Sequence, residues 1–160
     1  MPIDVGEKIP ELNLSRMTSD GPETISTEQL FKNKKVALFG VPGAFTPTCS
    51  MKHLPGFIKH AKDIKSKGID SIACISVNDV FVMGAWGLDQ GSGTHVLMIA
   101  DGSANFAIAT GLETDLTERG MGMRCKRFLM IVDNQIVQSI DIDDPGKFEV
   151  TSAEKMLGKL

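Results

Sequence analysis

The sequence of 160 residues lacks the features that mark several classes of protein. It contains no tyrosine, one tryptophan and three cysteines, an odd number without regular spacing and without a Cys-x-x-Cys pair. A disulfide framework needs paired cysteines, and a structural zinc site needs four converging ligands, which three histidines and three scattered cysteines do not suggest. We therefore expect free thiols, a reducing compartment and no metal site.

The chain also lacks an excess of charge of one sign and any long apolar run. Its 17 Lys and Arg residues stand against 20 Asp and Glu, which leaves a net charge of −3 and predicts no basic face for nucleic acid. No apolar run approaches the roughly 20 residues that span a bilayer, and the N-terminal segment has no apolar or arginine-rich targeting signal. These absences predict a cytoplasmic protein that binds neither nucleic acid nor membrane.

Strand and helix patterns alternate along the chain without an internal repeat or a linker, which predicts one domain over residues 1–160. The predicted strands cover residues 35–39, 69–77, 95–100, 127–132 and 135–140, the last two joined as a hairpin through Asp133-Asn134. The predicted helices cover 48–67 with a kink at Pro55, 80–86, 104–110 and a terminal segment from Ser152. This order predicts an α/β, thioredoxin-like fold, with a mixed central β-sheet flanked by helices.

One cysteine stands where a helix is predicted to begin. In the segment PGAFTPTCS, residues 42–50, Thr46 takes the N-cap position, Pro47 the first helical position and Cys49 the third. The first N–H groups of a helix have no internal partner and favour a negative charge by about 0.3–1 kcal/mol, at most about 2 kcal/mol. Ionising most of a thiol at neutral pH requires roughly 4 kcal/mol. Position alone leaves Cys49 as either a nucleophile or a small buried core residue.

A reactive Cys49 would therefore need a further donor. The basic cluster Arg124-Cys125-Lys126-Arg127, at the start of the predicted hairpin, offers two arginines that folding could bring to the thiol. The hydroxyl of Thr46 could donate to the same sulfur or to an incoming oxygen.

The residues around Cys49 resemble those of a known family. The string GVPGAFTPTCS at 40–50, followed by HLPGF at 53–57, closely resembles the peroxidatic motif of type II peroxiredoxins, the peroxiredoxin-5-like subfamily, with its Pro-x-x-x-Thr-x-x-Cys core. The likeness continues through SVND at 76–79, GAW at 84–86, AD at 100–101 and KRF at 126–128. It implies a thioredoxin-fold thiol peroxidase, commonly a homodimer, that reduces hydrogen peroxide and organic hydroperoxides without a metal or organic cofactor.

The resemblance also implies a role for each residue of the motif. It identifies Cys49 as the peroxidatic cysteine, whose thiolate attacks the peroxide and becomes a sulfenic acid. It identifies Thr46 as the threonine that hydrogen-bonds peroxide and sulfur, and Pro42 as the shield of the pocket.

The charge that develops on the peroxide oxygen requires donors. The family's arginine matches Arg127 in the Lys-Arg-Phe string, with Arg124 as the second choice. We expect Arg127, Thr46 and the backbone N–H groups of Thr48 and Cys49 to bind the substrate.

The thiol that completes the cycle is where the chain departs from part of the family. Animal members carry a resolving cysteine near the C-terminus, where this chain has Val150-Thr151-Ser152-Ala153. Cys74 lies at the spacing of the second cysteine of plant-type members, but in a predicted apolar strand, which favours a core residue over a resolving thiol. Cys125 is expected to point to the same face as Arg127 and to act as a spacer. We therefore expect one-cysteine chemistry, with glutathione or a glutaredoxin as reductant and thioredoxin as the alternative.

Two other kinds of function remain open from the sequence. Cys49, His53 and His60 recur near one helical face, as in a metal site or a Cys-His hydrolase, although a histidine that binds backbone or solvent is the simpler interpretation of His53. The second alternative is a thiol-based redox sensor or relay that passes the oxidation of Cys49 to a partner protein. Turnover with small thiols distinguishes the peroxidase from the sensor.

Overall fold

The computed structural model of the chain describes residues 1–160 and contains nine strands and five α-helices. The strands are β1 (Asn13–Thr18), β2 (Gly21–Ser26), β3 (Lys35–Gly40), β4 (Ser71–Ser76), β5 (Leu97–Ala100), β6 (Glu113–Leu116), β7 (Gly122–Cys125), β8 (Phe128–Asp133) and β9 (Ile136–Ile142). The helices are α1 (Thr27–Phe31), α2 (Leu54–Ser66), α3 (Val80–Gln90), α4 (Asn105–Ala109) and α5 (Ala153–Lys159). A π-helical turn, Cys49–His53, precedes α2, and a 3₁₀ turn, Thr117–Arg119, joins β6 to β7.

Seven strands form one mixed sheet in the order β2-β1-β5-β4-β3-β8-β9. The neighbours β3, β4 and β5 run parallel, and the other pairs of this sheet are antiparallel. Parallel neighbours need crossover connections, which α2 and α3 supply, whereas β6 and β7 form a separate two-stranded ribbon. The predicted mixed sheet flanked by helices is confirmed. None of its helices has the length and apolar character needed to cross a membrane.

The two faces of the sheet bury separate apolar clusters. We call them the α2 cluster, which contains the buried residues of α2, α3 and α5, and the α1 cluster, which contains those of α1 and α4. Successive residues of β3 enter opposite clusters, Leu38 the α1 cluster and Phe39 the α2 cluster, as the period of a strand requires. Phe39 stacks on Phe57 of α2 with ring centroids 4.1 Å apart. Central strands buried on both faces explain the apolar runs of the sequence.

The predicted strands and helices are present, with ends shifted by a few residues, but α1, β6, β7 and the pair β1 and β2 were not predicted. The pair β1 and β2 shows why. Their sequences, NLSRMT and GPETIS, contain few apolar residues because β2 forms the edge of the sheet and buries only Ile25. The helix predicted over 80–86 runs on to Gln90, where Gly91 ends it with a left-handed φ of 70°. Ser152 caps α5 by accepting the N–H of Lys155, as the sequence predicted for a helix starting there.

The hairpin turn lies one residue later than predicted. Asp133 pairs with Ile136 in the ladder, so the turn consists of Asn134 and Gln135. Both have positive φ, 46° and 71°, as the two-residue turns that suit the twist of a hairpin require. The Asn134 side chain also accepts the N–H of Asn33, which ties the turn to the start of β3.

The irregularity predicted at Pro55 lies one turn earlier. The N–H of Leu54 donates to the carbonyl of Cys49, five residues back, which makes Cys49–His53 a π-helical turn. Pro55 stands in the first turn of α2, where its missing N–H is tolerated. Single π-helical turns are uncommon and occur frequently at functional sites.

Candidate active site

Cys49 lies just beyond the carboxyl end of β3, in the first helical turn after the loop, and only 1% of it is exposed. The chain turns away from β3 at Gly40, beside the ring of Phe128. A Cβ on Gly40 would overlap that ring and lie 2.9 Å from the Sγ of Cys125, so that only glycine fits. The close approach of β8 at this point positions the segment that follows β7.

Arg127 reaches Cys49 from the short connection between β7 and β8. Its Nη2 donates a hydrogen bond of 3.1 Å to the Sγ of Cys49, and the ring of Phe148 lies 5.7 Å from the centre of the guanidinium. Arg124 lies elsewhere, since its Nε donates to the carbonyl of Met121 at 2.7 Å and its Nη1 approaches the carbonyl of Pro42 at 3.5 Å. Of the two arginines that the sequence singled out, Arg127 is therefore the one that faces the thiol.

His53 holds the other side of the Arg127 guanidinium. The His53 Nε2 lies 2.8 Å from the carbonyl oxygen of Thr151, which can only accept, so Nε2 carries the hydrogen. The opposite nitrogen, Nδ1, then accepts from the Arg127 Nη1 at 2.7 Å. Burial, assisted by the positive charge of Arg127, lowers the pKa of His53 to about 3 and keeps the ring neutral. The sequence interpretation of a histidine bound to backbone was incomplete, because it gave no sign of Arg127.

A buried carboxylate fixes the Thr151 carbonyl to which His53 donates. Asp143 accepts the N–H groups of Glu149 and Val150, at 2.9 Å each, and the hydroxyl of Thr151 at 2.6 Å. The N–H of Asp143 donates to the carbonyl of Arg127 at 2.9 Å. Asp143 therefore ties the segment before α5 to the backbone of the site arginine.

The remaining residues of the motif lie in the loop and helix start that lead to Cys49, and none of them forms a hydrogen bond to its sulfur. The Thr46 hydroxyl donates to the carbonyl of Gly43 at 2.6 Å and so does not donate to the sulfur. The backbone N–H groups of Thr48 and Cys49 have no acceptor within the chain, as expected for the first turn of a helix. Pro42, half-buried in the same loop, offers its carbonyl to Arg124.

Three further hydrogen bonds hold the chain on both sides of the thiol. The Asn78 Oδ1 accepts the N–H of Ala44 at 3.0 Å and the hydroxyl of Ser76 at 2.6 Å, which fixes the loop before Cys49. The indole N–H of Trp86 donates to the Ser50 Oγ at 3.0 Å, directly after it. These contacts give a physical role to the SVND and GAW segments of the sequence.

The other two thiols are buried as well, Cys74 in the seven-stranded sheet and Cys125 in the two-stranded ribbon, and all three cysteines are free. Cys74 lies in the α2 cluster with Cys49, and burial raises its pKa well above the usual range. Cys125 lies in the α1 cluster, and burial raises its pKa too. Cys125, at the end of β7, packs in the α1 cluster, whereas Arg127, in the connection that follows, donates to Cys49 of the α2 cluster. The two side chains therefore do not share a face, contrary to the expectation from the sequence.

The residues of the metal-site or hydrolase alternative do not converge. Both ring nitrogens of His53 are engaged, by Arg127 and Thr151, and His60 pairs with Glu154 at 3.2 Å on the outer side of α2. His53 therefore has no free nitrogen with which to take a proton from Cys49.

Comparison with known proteins agrees with this arrangement. The sequence model of the redoxin family matches residues 4–157. Peroxiredoxin-2D of Arabidopsis thaliana is 48% identical over 160 residues, covering 99% of each chain. The crystal structure of reduced Prx3 from Vibrio vulnificus in complex with H₂O₂ is 47% identical, with a TM-score of 0.94 and 98% of each chain covered. Peroxiredoxin 5 from Alvinella pompejana is 30% identical, with a TM-score of 0.86 over 98% of this chain and 96% of that one.

Proposed function

Since the chain belongs to the redoxin family, as a type II peroxiredoxin, and is a thiol-dependent peroxidase, we propose that Cys49 is the thiol with which it reduces hydroperoxides. The observation that carries this assignment is the 3.1 Å hydrogen bond from Arg127 to the Cys49 sulfur. A guanidinium is positively charged at every physiological pH, so it stabilises the thiolate over the thiol. Neither of the other cysteines has such a donor.

The reaction follows from the placement of these groups. The Cys49 thiolate attacks one peroxide oxygen, an S–O bond forms as the O–O bond breaks, and the other oxygen leaves as hydroxide or alkoxide, which takes a proton from solvent. Cys49 is oxidised to a sulfenic acid and the peroxide is reduced to water or an alcohol. The unpaired N–H groups of Thr48 and Cys49, together with Arg127, stabilise the charge that builds on the oxygens.

Thr46 and Pro42 complete the site in this proposal. The Thr46 hydroxyl has two lone pairs beside its hydrogen, so it accepts from a peroxide O–H while it donates to Gly43, or turns its hydrogen to the peroxide. Pro42 stands in the same loop and limits the access of water to the nearly buried sulfur.

We further propose a one-cysteine cycle. Glutathione, or a glutaredoxin, attacks the sulfenic acid of Cys49 and releases water, and a second thiol then cleaves the mixed disulfide to restore Cys49. Cys74 and Cys125 lie within the two clusters of the sheet and ionise with difficulty, which suits packing rather than resolution. Thioredoxin is the alternative reductant.

Peroxide consumption by three proteins tests both parts of the proposal. Wild type, Cys49→Ser and Cys74→Ala are compared with glutathione plus glutaredoxin, and separately with thioredoxin plus its reductase. Cys74→Ala is the matched control, because it removes a free thiol from the same buried cluster. We expect wild type and Cys74→Ala to turn over with glutaredoxin and Cys49→Ser to be inactive. Activity of Cys49→Ser would overturn the assignment, and loss of turnover in Cys74→Ala would overturn the one-cysteine cycle.

A homodimer is proposed from the apolar side chains exposed beside the site. Phe45 is 53% exposed with a left-handed φ of 64°, which is costly for a bulky residue, and its ring lies 6.5 Å from Trp86. Met51, on the π-helical turn, and Phe81, on α3, are 75% and 64% exposed. Sedimentation of Phe45→Ser plus Phe81→Ser should show monomers, while Leu88→Ser, at an apolar position of α3 that is even more exposed, should remain dimeric. A monomeric wild type at micromolar concentration would contradict the proposal.

The whole of residues 1–160 is proposed to act as one domain in the cytoplasm. The redoxin match over residues 4–157 and a seven-stranded sheet with strands from Asn13 to Ile142 support the single domain. Three free thiols suit a reducing compartment. A single domain should give the same urea unfolding curve by tryptophan fluorescence and by circular dichroism. Subcellular fractionation tests the cytoplasmic location.

A further inference from the structure

We propose that Arg124 binds a carboxylate of glutathione while the thiol of that glutathione reduces the sulfenic acid of Cys49. This inference rests on the proposed one-cysteine cycle and assigns a binding residue to its reductant. The fold brings Arg124 to the loop before Cys49, since its Nη1 approaches the carbonyl of Pro42, 82 residues away in the sequence. Arg124 therefore stands beside the site without donating to the sulfur.

The guanidinium of Arg124 has no negatively charged partner. Its Nε donates to the carbonyl of Met121 at 2.7 Å, and its Nη1 lies 3.5 Å from the carbonyl of Pro42, which is long for a hydrogen bond. Its Nη2 has no acceptor in the chain and is open to solvent, and no Asp or Glu forms an ion pair with it. A half-buried guanidinium that is held through Nε and open at Nη2 can bind a carboxylate.

Gly43 lets Arg124 lie close to the residues of the peroxide pocket. A Cβ on Gly43 would lie 3.0 Å from the Cγ2 of Thr46, 3.2 Å from the Nη1 of Arg124 and 3.4 Å from the Cε of Met121. The backbone of Gly43 does not have a positive φ, so the close approach of these side chains, and not the conformation, favours glycine here. Arg124 and Thr46 are thus neighbours across Gly43.

The separation of Arg124 from the thiol suits the length of glutathione. Thr46 and Cys49 are three residues apart at a helix start, which places their side chains about 5–6 Å from each other. The sulfur and the glycine carboxylate of an extended glutathione lie roughly 7 Å apart. A glutathione whose sulfur contacts Cys49 can therefore extend past Thr46 and present this carboxylate to Arg124.

Glutathione is the reactant of the proposed cycle that always carries carboxylates. Hydrogen peroxide has none, and Arg127 with the N–H groups of Thr48 and Cys49 already serves it. In the reductive step the glutathione thiolate attacks the Cys49 sulfur, an S–S bond forms as the S–O bond breaks, and the departing hydroxide takes a proton from solvent to give water. Arg124 attracts the anionic glutathione and holds its sulfur near Cys49 for this attack.

The preference of the oxidised protein for glutathione over glutathione diethyl ester, whose carboxylates are blocked, tests the proposal. Protein oxidised with equimolar hydrogen peroxide is mixed with each thiol, and the fluorescence of Trp86, which donates to the neighbouring Ser50, follows the reduction. We expect the ratio of the two rate constants to be about fivefold to tenfold lower in Arg124→Met than in wild type, because solvent weakens a charged hydrogen bond at a half-buried arginine. Arg119→Met removes the same charge from the exposed 3₁₀ turn and should keep the wild-type ratio.

The same measurement contains the results that would contradict the proposal. Should Arg124→Met not fold, Arg124→Gln replaces it, since its amide can still donate to the carbonyl of Met121. Equal ratios in wild type and the Arg124 variant, or an equal fall in Arg119→Met, would overturn the inference. A fall seen only in the preference for linoleic acid hydroperoxide over its methyl ester would place the carboxylate on the peroxide and overturn it too. Failure of glutathione to reduce the oxidised wild type would overturn the one-cysteine cycle as well.

Discussion

The neutral, buried state of His53 predicts a specific loss of stability in mild acid. An unfolded chain binds a proton at His53 below about pH 6.5, whereas the folded protein binds it only near its lowered pKa of about 3. Between these values the unfolded state binds more protons, so stability falls as the pH falls, by about 1.4 kcal/mol for each pH unit. From pH 7 to pH 5 the loss amounts to about 2 kcal/mol. Below about pH 3 the contribution stops changing.

Urea unfolding of wild type and His53→Asn at pH 7 and pH 5 isolates this contribution. Every carboxylate, and the other two histidines, are common to both proteins, so their contributions cancel in the difference between the two pH dependences. We expect wild type to lose about 2 kcal/mol more than His53→Asn between these pH values. Equal pH dependences would refute the reasoning, because they would mean that His53 titrates alike in the folded and unfolded states. Protein concentration is held fixed, since the proposed dimerisation would add to the apparent stability.

Three substitutions test other parts of the structure. Arg127→Lys should lower the rate of Cys49 oxidation by about 100-fold in stopped-flow measurements, because a lysine cannot donate in two fixed directions. A rate near that of wild type would show that the two hydrogen bonds of the guanidinium, to His53 and to Cys49, are not needed for the reaction. Gly40→Ala should destabilise the protein by about 1–3 kcal/mol in urea, since its methyl group overlaps the Phe128 ring, whereas an unchanged or higher midpoint would show that β8 can move. Gln135→Gly should stabilise it by up to about 1 kcal/mol, as glycine adopts the positive φ of the turn without strain, and no gain in midpoint would count against that turn geometry.

Much of the fold was predictable because the central strands are buried on both faces. Continuous apolar runs such as VALF in β3 identify these strands without any knowledge of their neighbours. β1 and the edge strand β2 are different, since most of their polar residues face solvent, and β1 joins the sheet by pairing with β5, far away in the sequence. The hairpin was predicted with the wrong turn residues, because Asp133-Asn134 and Asn134-Gln135 are both polar pairs and only the register of β8 with β9 distinguishes them.

The part of the candidate site that neighbouring residues form was predictable from the sequence. The part that depends on contacts between distant residues was not. The helix start at Thr46-Pro47 and the position of Cys49 follow from neighbouring residues, and the need for an arginine follows from the energy of ionising a thiol. The acceptor that orients Arg127 could not be found in this way. His53 receives its partners from residues 74 and 98 positions away, and one of those partners is a backbone carbonyl, which leaves no trace in a sequence.

The connection from Cys49 through Arg127 and His53 to the Thr151 carbonyl also sets an order of events during synthesis. Thr151 follows His53 by 98 residues, and at the usual 5–20 residues per second the ribosome needs about 5–20 s to add them. Throughout that interval the nascent chain carries Cys49 without the oriented guanidinium. The sulfur thus acquires its arginine only when the sheet has closed around β8 and the segment after β9 has docked, so that the thiol gains its donor well after Cys49 itself has been synthesised.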